Sequence, residues 1–205
     1  PSLEDYPGLI AAWSAAGKSN DDADRAVLRD LTGNGHDITL NGFAFNTEGS
    51  GYGHHEYPDA LVFDGVDDYG INEDMPTLTD YTIIAEREFL YPSNTAVKDF
   101  VFISYTKGLN YFRAGDLFSL ESRYYNYYAV TFATQNLISV NNNRSIVYQN
   151  RTNYNGKDIL CNEMSSEGFN TIRLGRILGN YTPMAFYSAY LFDRSLDEQE
   201  IKEFI

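Results

Sequence analysis

The stretch "LVFDGVDDYG", residues 61–70, places three aspartates within five positions between apolar, strand-forming residues. Three readings compete for it: a calcium loop, a catalytic acid cluster, or the corner of a β-hairpin. An EF-hand loop needs acidic ligands at positions 1, 3 and 5 and glycine at position 6. Counted from Asp64, position 3 is Val66 and position 6 is Tyr69, so that loop is absent. Asp64-Gly65 is instead a favoured tight-turn pair, because glycine takes positive φ and aspartate bonds nearby backbone N–H groups. Asp67 and Asp68 follow where a turn or bulge leaves N–H groups for carboxylates to accept. The aspartates read as scaffold at a hairpin corner.

Outward from that corner, strand-like segments recur with Gly and Asn turns between them. Before it stand "LIAAW" (9–13) and "HDITL" (36–40); "ALVFD" (60–64) leads into it. After it come "YTIIAEREFL" (81–90), "DFVFISY" (99–105), "DLFSL" (116–120), "YYAVTFA" (127–133), "LISV" (137–140) and "SIVY" (145–148). "TIRLGRI" (171–177) and "MAFYSAYLFD" (184–193) close the series. Many short strands without alternating helices predict an all-β fold, a two-sheet antiparallel jelly-roll sandwich. No repeat or composition break divides the chain, so residues 1–205 read as one domain. "DDADRAVLRDL" (21–31) reads either as two or three helical turns or as a loop leading to a strand. The C-terminus is clearer: Asp197 is an N-cap with Glu200 as capping-box partner, and Leu196 and Ile201 form a hydrophobic staple. A short C-terminal helix is expected there.

Composition narrows the partners. Net charge is −14, which repels phosphate backbones and anionic membranes and suits a neutral ligand or a cation. No apolar run reaches membrane-spanning length. The single cysteine, Cys161, excludes an internal disulfide framework, and it has no neighbouring base. The chain starts at Pro1 rather than Met, which predicts a removed leader or a longer parent chain.

The order of these pieces resembles the LamG-like jelly roll of the concanavalin A-like lectin/glucanase superfamily. "GLIAAWS" is similar to its opening strand, "DLTGNGHDITLNG" to its Asp-x-x-Gly-Asn-Gly turn, and "ALVFDGVDDYGIN" to its most recognisable hairpin. "LTDYTIIAEREF", "YYAVTFATQNLISVNNN" and "TIRLGR…MAFYSAYLFDRSLDEQEIKEF" are similar to the pieces that follow. The opening also resembles domains of surface or phage-structural proteins of gut bacteria. The resemblance implies the sandwich fold, and it spans lectins, binding modules, enzymes and adhesion domains, so it leaves function open.

Catalytic carboxylates in the glucanases of that superfamily stand as Glu-x-Asp-x-x-Glu on one strand. Glu86-Arg87-Glu88 is the nearest echo, with two acids on one strand face, but Tyr91 stands where the third acid belongs. No enzyme is expected, and no catalytic residue is assigned. Relatives carry calcium on rim loops; Asp21, Asp22, Asp24 and Asp30 are the local excess of carboxylates that fits it, against a reading as solvated loop acids. "GHHE" (53–56) sets two histidines beside an acid; neighbours on a strand would point oppositely and zinc needs three or four converging ligands, so the pair reads as exposed loop histidines. No metal site is therefore assigned. Sequons stand at Asn143, Asn150 and Asn180.

"YFRAGDLFSLESRYYNYYAVTF" (111–132) is the most suggestive stretch. Tyrosine joins an apolar ring face to a polar tip, which suits stacking on sugar C–H faces while bonding hydroxyls. Tyr124, Tyr125 and Tyr127 with Arg123 and Asn126 are the candidate ligand-binding residues near a turn; ordinary packing between sheets is the competing account. Trp13 is expected in the core. The expectation is a non-catalytic carbohydrate-binding or adhesion module of a larger extracellular, surface or virion protein. Its rivals are a structural protein–protein interaction domain and a glycoside hydrolase.

Overall fold

The computed structural model describes residues 2–76, 78, 80–90, 101–104, 111–113, 136–141, 144–151, 171–177 and 180–204. In chain order the strands are β1 (Leu9–Ser14), β2 (Val27–Leu28), β3 (Ile38–Asn41), β4 (Gly51–Tyr52) and β5 (Leu61–Asp64). Next come β6 (Tyr69–Asn72), β7 (Tyr81–Phe89), β8 (Val101–Ser104), β9 (Tyr111–Arg113) and β10 (Asn136–Asn141). The last are β11 (Arg144–Arg151), β12 (Thr171–Leu174), β13 (Arg176–Ile177), β14 (Asn180–Tyr181) and β15 (Pro183–Phe192), before helix α1 (Glu198–Phe204). One sheet runs β10-β11-β7-β15-β5-β4, with β1 also paired to β15; the other runs β2-β3-β6-β12-β8-β9. All pairings in both are antiparallel, and β13-β14 form a separate two-stranded piece. The fold is the expected all-β sandwich with a short C-terminal helix. Segments 116–120 and 127–133 lie outside the described residues.

Between the sheets, Trp13, Leu61, Phe63, Ile83, Ile172 and Phe186 are buried. The indole N–H of Trp13 donates to the His36 carbonyl at 2.8 Å, so its one polar atom is satisfied inside the core. On β7 the period of two puts Ile83, Ala85 and Arg87 on the core side. Ile84 faces the other way, under α1, where it packs with Phe192, Leu196 and Ile201. The capping box forms as the sequence predicts. Glu200 N–H donates to Asp197 Oδ1 at 2.8 Å, and Asp197 N–H donates to Glu200 Oε2 at 2.9 Å.

The aspartate stretch is scaffold, but it is not a hairpin corner. β5 pairs with β15 and β4 in one sheet, whereas β6 pairs with β3 and β12 in the other. Residues 65–68 therefore arch from sheet to sheet, and no partner strand satisfies their backbone. The carboxylates do it instead. Asp64 Oδ1 accepts from the N–H groups of Val66 (2.7 Å) and Asp67 (3.3 Å). Asp68, fully buried, accepts from Asp64 N–H (2.9 Å) and from the Ser50 hydroxyl (3.0 Å). Two further expectations change. "DDADRAVLRDL" takes the loop alternative: a run of turns leading into the two-residue β2. "TIRLGRI" is two strands, because Gly175 at φ 79° breaks the ladder.

Burial pushes the Asp68 carboxyl up to about 6, above the ordinary 3.8. Between about pH 6 and pH 4 the folded chain thus holds a proton here that the unfolded chain lacks. Asp68 then favours folding increasingly as pH falls through that window, and the contribution is lost as pH rises through 6. Wild type is expected to gain on the order of 2 kcal/mol relative to Asp68→Asn between pH 7 and pH 4.5. Urea melts of both chains at each pH measure it; parallel pH profiles would refute the assignment.

Candidate ligand-binding face

The sheet that carries β6 presents a mixed aromatic and basic outer surface. Along β3, Ile38 and Leu40 are buried while Thr39 and Asn41 face outward. Gly70 of β6 is buried between Tyr69 and Ile71, and Ile172 and Leu174 of β12 flank an outward Arg173. Register joins these positions: Thr39 and Arg173 both pair with Ile71, and Asn41 pairs with Tyr69. Gly70 must be small, because a Cβ there would stand 2.7 Å from the Ile38 side chain.

Beyond the break at Gly175 the chain folds back over this surface. A Cβ at Gly175 would meet the Phe63 ring at 2.8 Å, so glycine is required by space as well as by φ. Thr182 N–H donates to the Gly175 carbonyl at 2.9 Å and closes the turn. Arg176 and Tyr181 are opposed across β13-β14. The Arg176 guanidinium then lies 4.9 Å from the Tyr69 ring centroid and 5.4 Å from that of Tyr181. The two rings are 6.2 Å apart and inclined at 52°. All three side chains are half-buried, which leaves them partly open to solvent. Such a cluster offers ring faces for C–H stacking and in-plane N–H donors for polar oxygens.

None of these three was singled out from sequence. The residues that were, Arg123, Tyr124, Tyr125, Asn126 and Tyr127, lie outside the described residues, as do Cys161 and Asn143. Glu86 and Glu88 share the outer side of β7, half-buried, while Arg87 is 2% exposed on the core side. The proposed calcium ligands do not converge. Asp24 pairs with Lys18 (3.5 Å) and Arg29 (3.4 Å), and Lys18 draws its carboxyl below the ordinary value. Asp22 accepts from Ser19 N–H at 2.8 Å. Asp30 is buried and receives the N–H groups of Ala12, Thr32 and His36 and the Thr32 hydroxyl.

The two histidines lie in a loop, as expected, with His55 exposed and His54 half-buried, and their rings stack face to face, 4.6 Å apart at 17°. With Glu48 they bring ligand atoms within 4.8 Å of one another. A metal must lie near the plane of each coordinating ring, and stacked, nearly parallel rings cannot both aim lone pairs at one ion. His54 Nδ1 also accepts from Glu56 N–H at 3.1 Å. Glu48, 2.9 Å from His55 Nδ1, raises the imidazole above its ordinary value and ties residue 48 to the loop. A cleft of 440 Å³ lies between the N-terminal turn and residues 31–34, lined among others by Glu4, Tyr6, Leu31 and Asn34. Among the described residues that line it, Glu4 is the one carboxylate.

No family model matches the chain, and no curated protein sequence matches it. Solved structures do. Trypanosoma rangeli sialidase in complex with sialic acid is similar at a TM-score of 0.55 and 10% identity, over 98% of this chain. The same enzyme with the inhibitor DANA gives 0.56 and 11%, also over 98% of this chain. The chain spans 32% and 34% of those two sialidase chains. Domain 4 of AbnA, a GH43 extracellular arabinanase from Geobacillus stearothermophilus in complex with arabinotriose, is similar at 0.53 and 14% identity. There the match covers 95% of this chain and 97% of that one. At these identities the likeness establishes a shared β-rich fold found in carbohydrate-active proteins.

Proposed function

We propose that this chain is a non-catalytic carbohydrate-binding module of the LamG-like, concanavalin A-like kind, within a larger surface, secreted or virion protein. The observation that carries the reading is the outward Tyr69–Arg176–Tyr181 cluster, which pairs stacking faces with hydrogen-bond donors. A solved domain of nearly the same extent, held in complex with arabinotriose, supports a sugar-binding role for such a unit. The non-enzymatic half rests on the missing third acid beyond Glu86 and Glu88 and on the burial of Arg87 between them.

Glycan-array screening identifies a ligand, and titration calorimetry then measures variants. Tyr181→Ala is expected to weaken binding roughly tenfold, since an aromatic contact contributes on the order of 1 kcal/mol or more. Its melting temperature should fall by only a few degrees, because the ring is half-exposed. Tyr124→Ala and Tyr125→Ala, assayed alongside, decide whether the binding surface extends to the tyrosine-rich segment. A wild type that binds no glycan at millimolar concentration leaves the protein–protein interaction domain as the standing alternative.

The enzyme rival has its own test. Wild type should release no reducing ends from β-glucans or arabinans, and Glu86→Gln with Glu88→Gln should leave glycan affinity unchanged. Turnover abolished by that double change would establish a glycoside hydrolase.

A further inference from the structure

We infer that the Tyr69–Arg176–Tyr181 face selects a sugar that bears a carboxylate, of the uronic or sialic type, with Arg176 as the residue that reads it. This rests on the carbohydrate-binding reading and narrows it to a ligand class. It runs against the bulk charge of −14, which by itself favours a neutral ligand.

The local pattern of ion pairs points the other way. Three other described surface arginines have acidic partners: Arg29 meets Asp37 at 2.8 Å, Arg194 meets Glu200 at 2.8 Å, and Arg173 stands 4.0 Å from Glu73; Arg25, over the Phe45 ring, donates instead to the Asp22 backbone carbonyl. In a chain with 29 acidic residues against 15 basic ones, a carboxylate partner is easily supplied. Among the described residues, Arg176 has none within 4.0 Å; its contacts are the two tyrosine rings.

A cation over a ring face is held by the ring's quadrupole and uses none of its N–H donors, which leaves the donor edge of Arg176 free of hydrogen bonds to the rings. That edge is a planar fork, and it matches the two oxygens of a carboxylate in a bidentate pair. The rings also fix the fork, so less rotamer freedom is lost when a ligand binds. Beyond roughly 8 Å at physiological salt the acidic remainder of the protein is largely screened, so a contact pair is decided locally.

Arrays should carry uronic, sialylated, sulfated and neutral glycans, together with carboxyl-reduced counterparts of the acidic ones. The glycans retained are expected to carry carboxylates, and carboxyl reduction should weaken binding about tenfold or more. Arg176→Lys, which keeps the charge and removes the fork, should abolish most of that discrimination while circular dichroism and melting stay near wild type. Retention of acidic glycans unchanged after carboxyl reduction overturns the inference without reference to any variant. Retention of neutral or only sulfated glycans overturns it and leaves the carbohydrate-binding reading in place. Retention of none removes both.

Discussion

Asp30→Ala is expected to lower stability by about 4 kcal/mol or more, enough to bring a domain of ordinary stability close to unfolding. The carboxylate is 8% exposed and anchors three separate pieces of chain. Oδ1 accepts from Ala12 N–H (3.1 Å) on β1, from Thr32 N–H (3.0 Å) and from the Thr32 hydroxyl (2.7 Å). Oδ2 accepts from His36 N–H (3.0 Å), whose own carbonyl holds the Trp13 indole. Truncation takes this acceptor from three backbone N–H groups, while the Thr32 hydroxyl keeps the Ile10 carbonyl at 3.2 Å, and each buried unsatisfied group costs roughly 1–3 kcal/mol. For a chain of this size the melting temperature should drop by roughly 10 °C or more. Asp21→Ala, at an exposed loop position, should stay within about 0.5 kcal/mol of wild type. Thermal and urea melts of the two variants separate a network acid from a solvated one. If Asp30→Ala melts with wild type, or if calcium raises the melting point of wild type through this loop, the assignment is wrong.

Asp30 also marks where sequence reading stops. Asp21, Asp22, Asp24 and Asp30 are the same side chain within ten positions, and nothing local distinguishes the one that turns inward. Its role comes from Ala12 and His36, which chain topology brings to it. Features governed by near neighbours were legible: the Asp197–Glu200 capping box, the period of two along β7, the burial of Trp13. Pairing partners were not. Asp64-Gly65 carries a correct turn signal, yet β5 finds β15 more than a hundred positions later, and so a predicted hairpin is an arch between sheets. His54 and His55 read as loop histidines, and only the path of that loop stacks their rings. The candidate face failed to register for the same reason. Tyr69, Arg176 and Tyr181 are unremarkable alone, and only the register of β6, β12 and the β13-β14 piece assembles them. Tyr124, Tyr125 and Tyr127, marked by tyrosine density, lie outside the described residues, whereas the β6 face is legible only as convergence in space.

Gly42→Ala is expected to destabilise the fold by about 3 kcal/mol or more, through the same arch that opened the sequence question. Gly42 follows β3 at φ 84°, a region that costs an L-residue roughly 1–2 kcal/mol. Space adds a larger penalty. A Cβ at this position would overlap the Asp67 carbonyl oxygen and stand 2.6 Å from the Asp67 carbonyl carbon. Those are backbone atoms, so no side-chain rotation relieves the clash. Asp67 is held in turn by Asp64 Oδ1, and Asp68 by Ser50 and Asp64, so the arch cannot yield without losing hydrogen bonds, the Ser50–Asp68 one buried. Gly35→Ala isolates the conformational part. Its φ is 85° and nothing lies within 4 Å of the added carbon, so it should lose only about 1 kcal/mol. Asn41, next to Gly42, pairs with Tyr69, and displacement of this turn should therefore weaken glycan binding together with folding. If the proposed glycan face is right, Tyr181→Ala weakens binding with the fold intact, and Gly42→Ala weakens both. Equal melting temperatures for Gly42→Ala and Gly35→Ala would mean that the β3 turn does not pack against the aspartate arch.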